Sequence, residues 1–308
     1  MLAKTPLSAL ELCDAIKTGK PFDAARLNRI LGLDAMHGLL EVQAATPWQA
    51  IAAELRPGDA RANVRTTMPT VGASIERNAA GPDGTPAVSH VASLTVVTPE
   101  GELRRVSRER DRELFALHAG GHGLFGTLYS VTLRIATLAR AVDRAARPEE
   151  TQLCAYPAAR HTLEVLLPPE AVDGFMKETD TRCADWRIPL HGVAIRQTVA
   201  EEDTFLRWAQ RDYAEVRLGF GQPAGISAAV RGTQLRQALI DAAIAAGGSF
   251  QIASTADARR DHIEACYPQL KTFLAQKRRF DPHERLVNEW YRHQRGLLSR
   301  DTCEVRWA

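Results

Sequence analysis

Apolar positions along the chain change period several times, and each change marks an element. Between residues 7 and 18, Leu10, Cys13 and Ile16 recur at helical spacing, and Gly19 stops the run. Residues 39–46 (LLEVQAAT) read as a strand. Thr46-Pro47-Trp48-Gln49 has the form of a helix start, with Thr46 as cap, Pro47 in the first helical position and Gln49 three residues after the cap. That helix is predicted to run to about Arg56 and to end at Pro57-Gly58. Residues 66–89 are rich in Gly, Ala and Pro and show little period; long irregular stretches within a domain are usually functional. Residues 91–107 read as a hairpin around Pro-Glu-Gly, 111–121 as a short amphipathic helix, and 127–138 as an alternating strand.

From 139 to 160 neither period is visible, and the expected domain boundary lies there. The division is 1–140, 141–265 and a C-terminal segment 266–308. Within the second part, 190–198 reads as a strand and 201–216 as a helix. Residues 233–248 read as a helix closed by Gly247-Gly248, and 249–254 as a strand. A further helix capped by Ser254 or Thr255 is expected to stop before Pro268, and another to span 268–280. Strands fall in hairpins rather than in βαβ units, which gives an α+β fold class.

At 308 residues, with roughly 150 per domain, the chain suits two domains with a sizeable core. It has no apolar run long enough to span a bilayer, and its start lacks the continuous apolar stretch of an export signal. The expectation is a cytoplasmic protein with reduced thiols, consistent with five scattered cysteines (Cys13, Cys154, Cys183, Cys266, Cys303) that form neither CxxC pairs nor zinc spacing. Charge is nearly balanced, 39 basic against 37 acidic, so neither a nucleic-acid footprint nor a membrane partner is expected. No HExxH, HxH or GxSxG pattern occurs, so no metal is assigned.

Two glycine-bearing stretches stand out. Residues 121–126 (GHGLFG) match GxGxxG, but a helix precedes and a strand follows, so a dinucleotide would find no helix N-terminus and the Rossmann reading fails. Residues 70–74 (TVGAS), continuing to Asn78 and Gly81, offer backbone N–H groups with little side-chain bulk. They suit either a nest for an anion such as a pyrophosphate or a loop packed closely on a strand. His90, His118 and His122 lie near these stretches, with no carboxylate partner evident by spacing.

The segments TVGASIERNAAG (70–81), VASLTVVTPEGELRRVS (91–107) and ELFALHAGGHGLFGTLYSVTLRI (113–135), in that order, resemble the FAD-binding domain of the vanillyl-alcohol-oxidase type flavoprotein oxidases, also found in the p-cresol methylhydroxylase (PCMH-type) family. Residues 247–254 and 267–293 are similar to C-terminal segments of sugar-alcohol, aldonolactone and decaprenylphosphoryl-ribose oxidases. The resemblance implies a PCMH-type FAD-binding domain, a shortened α+β cap domain and a tail returning to the first domain. It also implies non-covalent FAD and oxidation of an alcohol group of a polyol, sugar or lactone by hydride transfer to flavin N5. By position it assigns flavin contacts to Thr70, Val71, Gly72, Ala73, Arg77 and Asn78, and the nucleotide end to Thr127 or Leu128. It places a substrate-facing cation at Arg196 and a cation near flavin or substrate at Lys277 or Arg279.

The departures carry expectations of their own. The family's glycine-rich pyrophosphate loop has no counterpart between the opening helix and residue 39, where Gly19 and Gly32 precede only Gly38. The N-terminal subdomain is therefore expected to be truncated. Ala73 stands for the second glycine of the family's TVGG, and Ala80 for the histidine that bonds flavin covalently in some relatives. Two alternatives accompany the oxidoreductase: a degenerate member that no longer binds FAD alone and acts as a structural subunit or reuses its cleft, and a chain whose partner supplies the missing phosphate loop.

Overall fold

The computed structural model describes residues 4–56, 66, 68–81, 83–145, 161–221 and 225–299. Two units emerge: the described residues of Met1–Pro148, Glu202–Arg207 and Lys271–Gln294, and those of Glu149–Glu201, Trp208–Leu270 and Arg295–Ala308. Both are α+β with antiparallel sheets. Among the described residues no helix is long and apolar enough to cross a membrane.

The first unit opens with α1 (Ala9–Lys17), whose Ser8 cap accepts the Glu11 N–H and whose Leu12, Cys13 and Ile16 pack with Leu27 and Val97. Then follow β1 (Ile30–Asp34), β2 (Leu39–Gln43), α2 (Trp48–Leu55), α3 (Val71–Glu76), β3 (Val91–Val97), β4 (Leu103–Ser107), α4 (Arg112–His118), β5 (Thr127–Arg134) and α5 (Ile135–Ala145). The sheet order is β1-β2-β5-β3-β4. β5 enters between β2 and β3, pairing Leu40 with Leu133 on one side and Leu94 with Val131 on the other. Its apolar positions make the centre of the sheet: Leu128, Val131 and Leu133 are all buried. Both edge strands are largely exposed, β1 at Leu31, Leu33 and Asp34, and β4 at Leu103, Arg104 and Arg105.

The second unit contains β6 (His161–Leu167), α6 (Val172–Trp186), β7 (Leu190–Thr198), β8 (Tyr213–Phe220), α7 (Ile226–Ala245), β9 (Ser249–Phe250) and α8 (Arg260–Cys266), with sheet order β7-β8-β6-β9. Val165, Val216, Leu218, Leu235 and Leu239 form its core. Two cross-strand ion pairs lie in register, Arg196 opposite Glu215 and Arg217 opposite Glu164. After it come α9 (Leu270–Phe280) and α10 (Glu289–Ser299), of which residues 271–294 belong to the first unit.

Several expectations are corrected. Residues 201–216 are not a helix: they run irregularly to β8, and burial at Thr204, Leu206 and Trp208 follows a period of two. The strand expected over 127–138 ends at Arg134, and α5 follows it to Ala145, into the stretch read as aperiodic from 139. The aperiodic stretch 66–89 contains α3, too short at six residues to show a period. Thr46 does not cap α2. The N-cap is Pro47, and the Thr46 hydroxyl donates to the Arg29 carbonyl instead. Ser254 and Thr255 do not cap α8, which begins after Arg259, while the Ser254 hydroxyl donates to Glu164. β1, β6, α6 and α10 were not foreseen. Cys154 and Cys303 lie outside the described residues, while Cys13, Cys183 and Cys266 are free and buried.

Candidate functional site

The residues marked by the two glycine stretches come together at α3, in the first unit. Thr70 caps this helix, its Oγ1 accepting the Ala73 N–H at 3.3 Å. The Val71 N–H donates to the Thr46 carbonyl, the Gly72 N–H to the Ala44 carbonyl at 2.7 Å, and the Ser74 N–H to the Thr70 carbonyl. A Cβ at position 72 would stand 2.6 Å from the Ala44 oxygen, so glycine is required by close approach to the chain just after β2. Of the two readings left open by the sequence, close packing is the nearer, though the stretch is a short helix held against the chain after β2 rather than a loop on a strand. The helix is fixed further by Trp48, whose indole N–H donates to Ser74 Oγ at 2.9 Å in the core.

The other glycine stretch closes the far end of the same helix. The Gly120 N–H donates to the Ile75 carbonyl and the His122 N–H to the Glu76 carbonyl. These are last-turn carbonyls that an isolated helix leaves unpaired. The loop turns tightly enough that a Cβ on Gly121 would lie 1.9 Å from the Leu117 oxygen. His122 takes a left-handed conformation, φ 53°. Its ring stacks on Trp290 with centroids 3.9 Å apart and planes 10° from parallel, and its carbonyl accepts from Asn288 Nδ2. Burial, with the Arg77 charge adding to it, pushes the His122 imidazole down to about 3, so the ring is neutral at physiological pH.

Glu76 ends α3 beside this loop. Its carboxylate oxygens lie 3.8 and 4.0 Å from where a Gly123 Cβ would be, and no hydrogen bond or ion pair engages them among the described residues. Burial pushes the carboxyl up to about 7, against the opposing effect of the Arg77 charge. A carboxyl that shares its proton near neutrality, with no structural partner, is the kind of group that acid–base sites use. Sequence reading passed over both Glu76 and Trp290. The available signal for Glu76 was a lone acid directly after the small and apolar run VGASI.

The remaining sequence candidates are placed as follows. Arg77 is the exposed C-cap of α3. Asn78 is buried at φ 45°, with Nδ2 donating to Thr204 Oγ1 at 3.1 Å. Thr127 and Leu128 begin β5 opposite Val97 and Val96, and Leu128 belongs to the core. Lys277 is fully buried in an ion pair with Asp281, whose carboxylate also accepts the Arg285 and Leu286 N–H groups. Arg279 is exposed, 3.3 Å from Glu113. Arg196, in the second unit, makes a two-pronged bond to Glu215 with both contacts at 2.7 Å. Each of the three proposed catalytic cations thus has a carboxylate of its own unit beside it.

His118 is buried with Nε2 unpartnered, and burial pushes it down to about 3. His90 faces Asp83 at 3.5 Å and Thr85 at 3.3 Å. Burial opposes ionisation of Asp83, but hydrogen bonds from His90 and Thr85 hold its carboxyl well below the usual carboxylate range. In the second unit, Asp241, Asp261 and His262 present ligand atoms within 4.8 Å of one another. The Arg259 guanidinium lies on both carboxylates, at 2.7 Å and 2.9 Å. The His262 ring is held as well, Nε2 by Asp241 and Nδ1 by the Arg259 N–H.

FAD brings a ring system and an anionic pyrophosphate, and the two halves make different demands. The N–H groups of residues 71–74 all end on acceptors of this chain, as do those of 120–122. The described residues of these loops therefore do not fit the pyrophosphate, which needs donors aimed outward. Ala80, buried and without a nucleophilic atom, offers no covalent attachment. No curated protein matches the chain. Residues 13–107 match the family model of an FAD binding domain. That match, over about a third of the chain, supports FAD as the cofactor.

Proposed function

We propose that the chain is an FAD-dependent oxidoreductase that oxidises an alcohol group of a small polyol, sugar or lactone. The observation that carries this reading is the match of residues 13–107 to an FAD binding domain, a span that contains α3 and the β3–β4 hairpin. The alcohol class rests on the likeness of residues 247–254 and 267–293 to the oxidases named above. Within the first unit, Glu76 is the group suited to take up a substrate proton near neutral pH, because burial and the lack of a partner leave its carboxyl poised there. Arg196 is retained as the substrate-side cation of the second unit, positioned by Glu215.

A second reading is favoured by the engaged N–H groups of α3. It is a family relative that does not hold FAD by itself and works beside a partner chain that supplies the phosphate cradle. An absorbance scan of the purified chain from about 300 to 550 nm, before and after addition of FAD and desalting, separates the two. A retained flavin band followed by turnover of polyols or lactones supports the oxidoreductase. A colourless chain after loading removes the stand-alone enzyme and leaves the second reading.

A further inference from the structure

We infer that the described flavin loops of this chain, around residues 70–81 and 119–127, do not read the phosphates of their ligand, so that these loops select a flavin by its ring and not by its dinucleotide tail. This rests on the flavin reading above and deepens it. Helix α3 is where a phosphate would be expected, since the small-residue stretch 70–74 forms its cap and first turn. Yet its first amides are closed on one side by the chain after β2: Val71 to Thr46 and Gly72 to Ala44. The Thr70 side chain takes the next, that of Ala73. The space that Gly72 leaves is filled by Ala44, so no ligand atom can enter it. At only six residues, α3 carries little macrodipole to offset the loss of those donors.

The second loop repeats the pattern. Its glycines bring N–H groups close to backbone carbonyls of Ile75, Glu76 and His118, not to open space. The side chains around it are also unsuited to a dianion. Glu76 is acidic, His122 is neutral and stacked on Trp290, and the cations Lys277 and Arg279 are turned to Asp281 and Glu113. Arg77 alone, among the described residues of α3 and this loop, presents an exposed positive charge, and one solvated charge adds little.

The test is a fluorescence titration of the full chain with FAD, FMN and riboflavin at low and high salt, with inorganic pyrophosphate as competitor. The expected result is dissociation constants within about threefold of one another, insensitive to salt, and no displacement by pyrophosphate. FAD binding about a hundredfold tighter than riboflavin, the gain two charge-assisted N–H contacts would give, overturns the inference and leaves the flavin reading intact. Binding of none of the three by a chain that circular dichroism shows to be folded removes the flavin reading and, with it, selection by the ring. Arg77→Ala serves as the control. A fall in FAD affinity of tenfold or more without a matching fall for riboflavin would show that phosphate is read through Arg77, against the inference.

Discussion

In the first unit, Arg105 on β4 reaches across the sheet to two neutral hydroxyls, Ser93 at 3.0 Å and Thr132 at 3.3 Å. In the second unit, Arg196 and Arg217 each face a carboxylate directly across the ladder, and Glu164 and Glu215 are nearly buried. One sheet satisfies its polar positions Arg105 and Glu41 with single charges on neutral hydroxyls and closes its loops backbone to backbone. The other depends on complete ion pairs. A carboxylate buried in such a pair cannot lose its partner cheaply, because desolvation has already been incurred. The first unit is correspondingly tolerant of side-chain change on the polar positions of its sheet but intolerant of an atom added at Gly72 or Gly121.

The sharpest way to break this contrast is Glu164→Ala, which leaves the Arg217 guanidinium without its carboxylate and Ser254 with only the longer bond to the Gln251 carbonyl. A loss of about 2–3 kcal/mol is expected, toward the low side because a third of the Arg217 side chain is exposed. Chemical denaturation followed by circular dichroism reads it. Next is Gly121→Ala in the first unit, where the added methyl collides with the Leu117 carbonyl. About 2 kcal/mol should be lost, and a neutral result would mean that the loop can shift away from α4.

Glu76→Gln sharpens the contrast through pH. The folded pKa of Glu76 lies above its unfolded value. Its contribution is therefore fully present below about pH 4.5 and is lost as pH rises through about 7. The Gln variant should be more stable than the parent at pH 8, by about 1–2 kcal/mol, and equal to it near pH 4. Thermal melts at both pH values check this, and equal melting at pH 8 refutes the raised pKa. The smallest effect is expected from Ser93→Ala, under about 1 kcal/mol, because Arg105 keeps Thr132 and solvent. A loss as large as that of Glu164→Ala would erase the difference between the sheets.

The apolar runs of Val and Leu made β2, β3 and β5 legible, since these strands lie inside the sheet and are largely buried, and the Pro-Glu-Gly turn made β4 legible as the second arm of a hairpin. The edge strand β1 was not, since most of its ILGLD positions are exposed and no alternation survives. The helical reading of 201–216 failed for a related reason. Phe205, Trp208 and Tyr213 stand at intervals near those of a helix turn, while the burial that decides the matter comes from tertiary packing at Thr204, Leu206 and Trp208. At the candidate site the glycines were conspicuous, but their partners were not. Nothing local to residues 70–73 announces Thr46 and Ala44 as acceptors more than twenty residues upstream. The same holds for Lys277. Its carboxylate, four residues on, was visible in the sequence, but the burial that commits the pair to each other was not.

The strand order β1-β2-β5-β3-β4 also sets a timetable for the newborn chain. β2 must wait for β5, about ninety residues downstream, before its second edge is covered, and β3 waits for the same strand on its far side. Until Arg134 has left the ribosome, two hairpins carry open edges lined by Leu40, Val42, Leu94 and Val96. Because residues 271–294 join the same unit, its final assembly must follow synthesis of most of the second. Such long-range closure is slow and exposes strand edges in the meantime. During synthesis, then, the first part of this protein to be made is among the last to be finished, and it is the part most in need of a chaperone's protection.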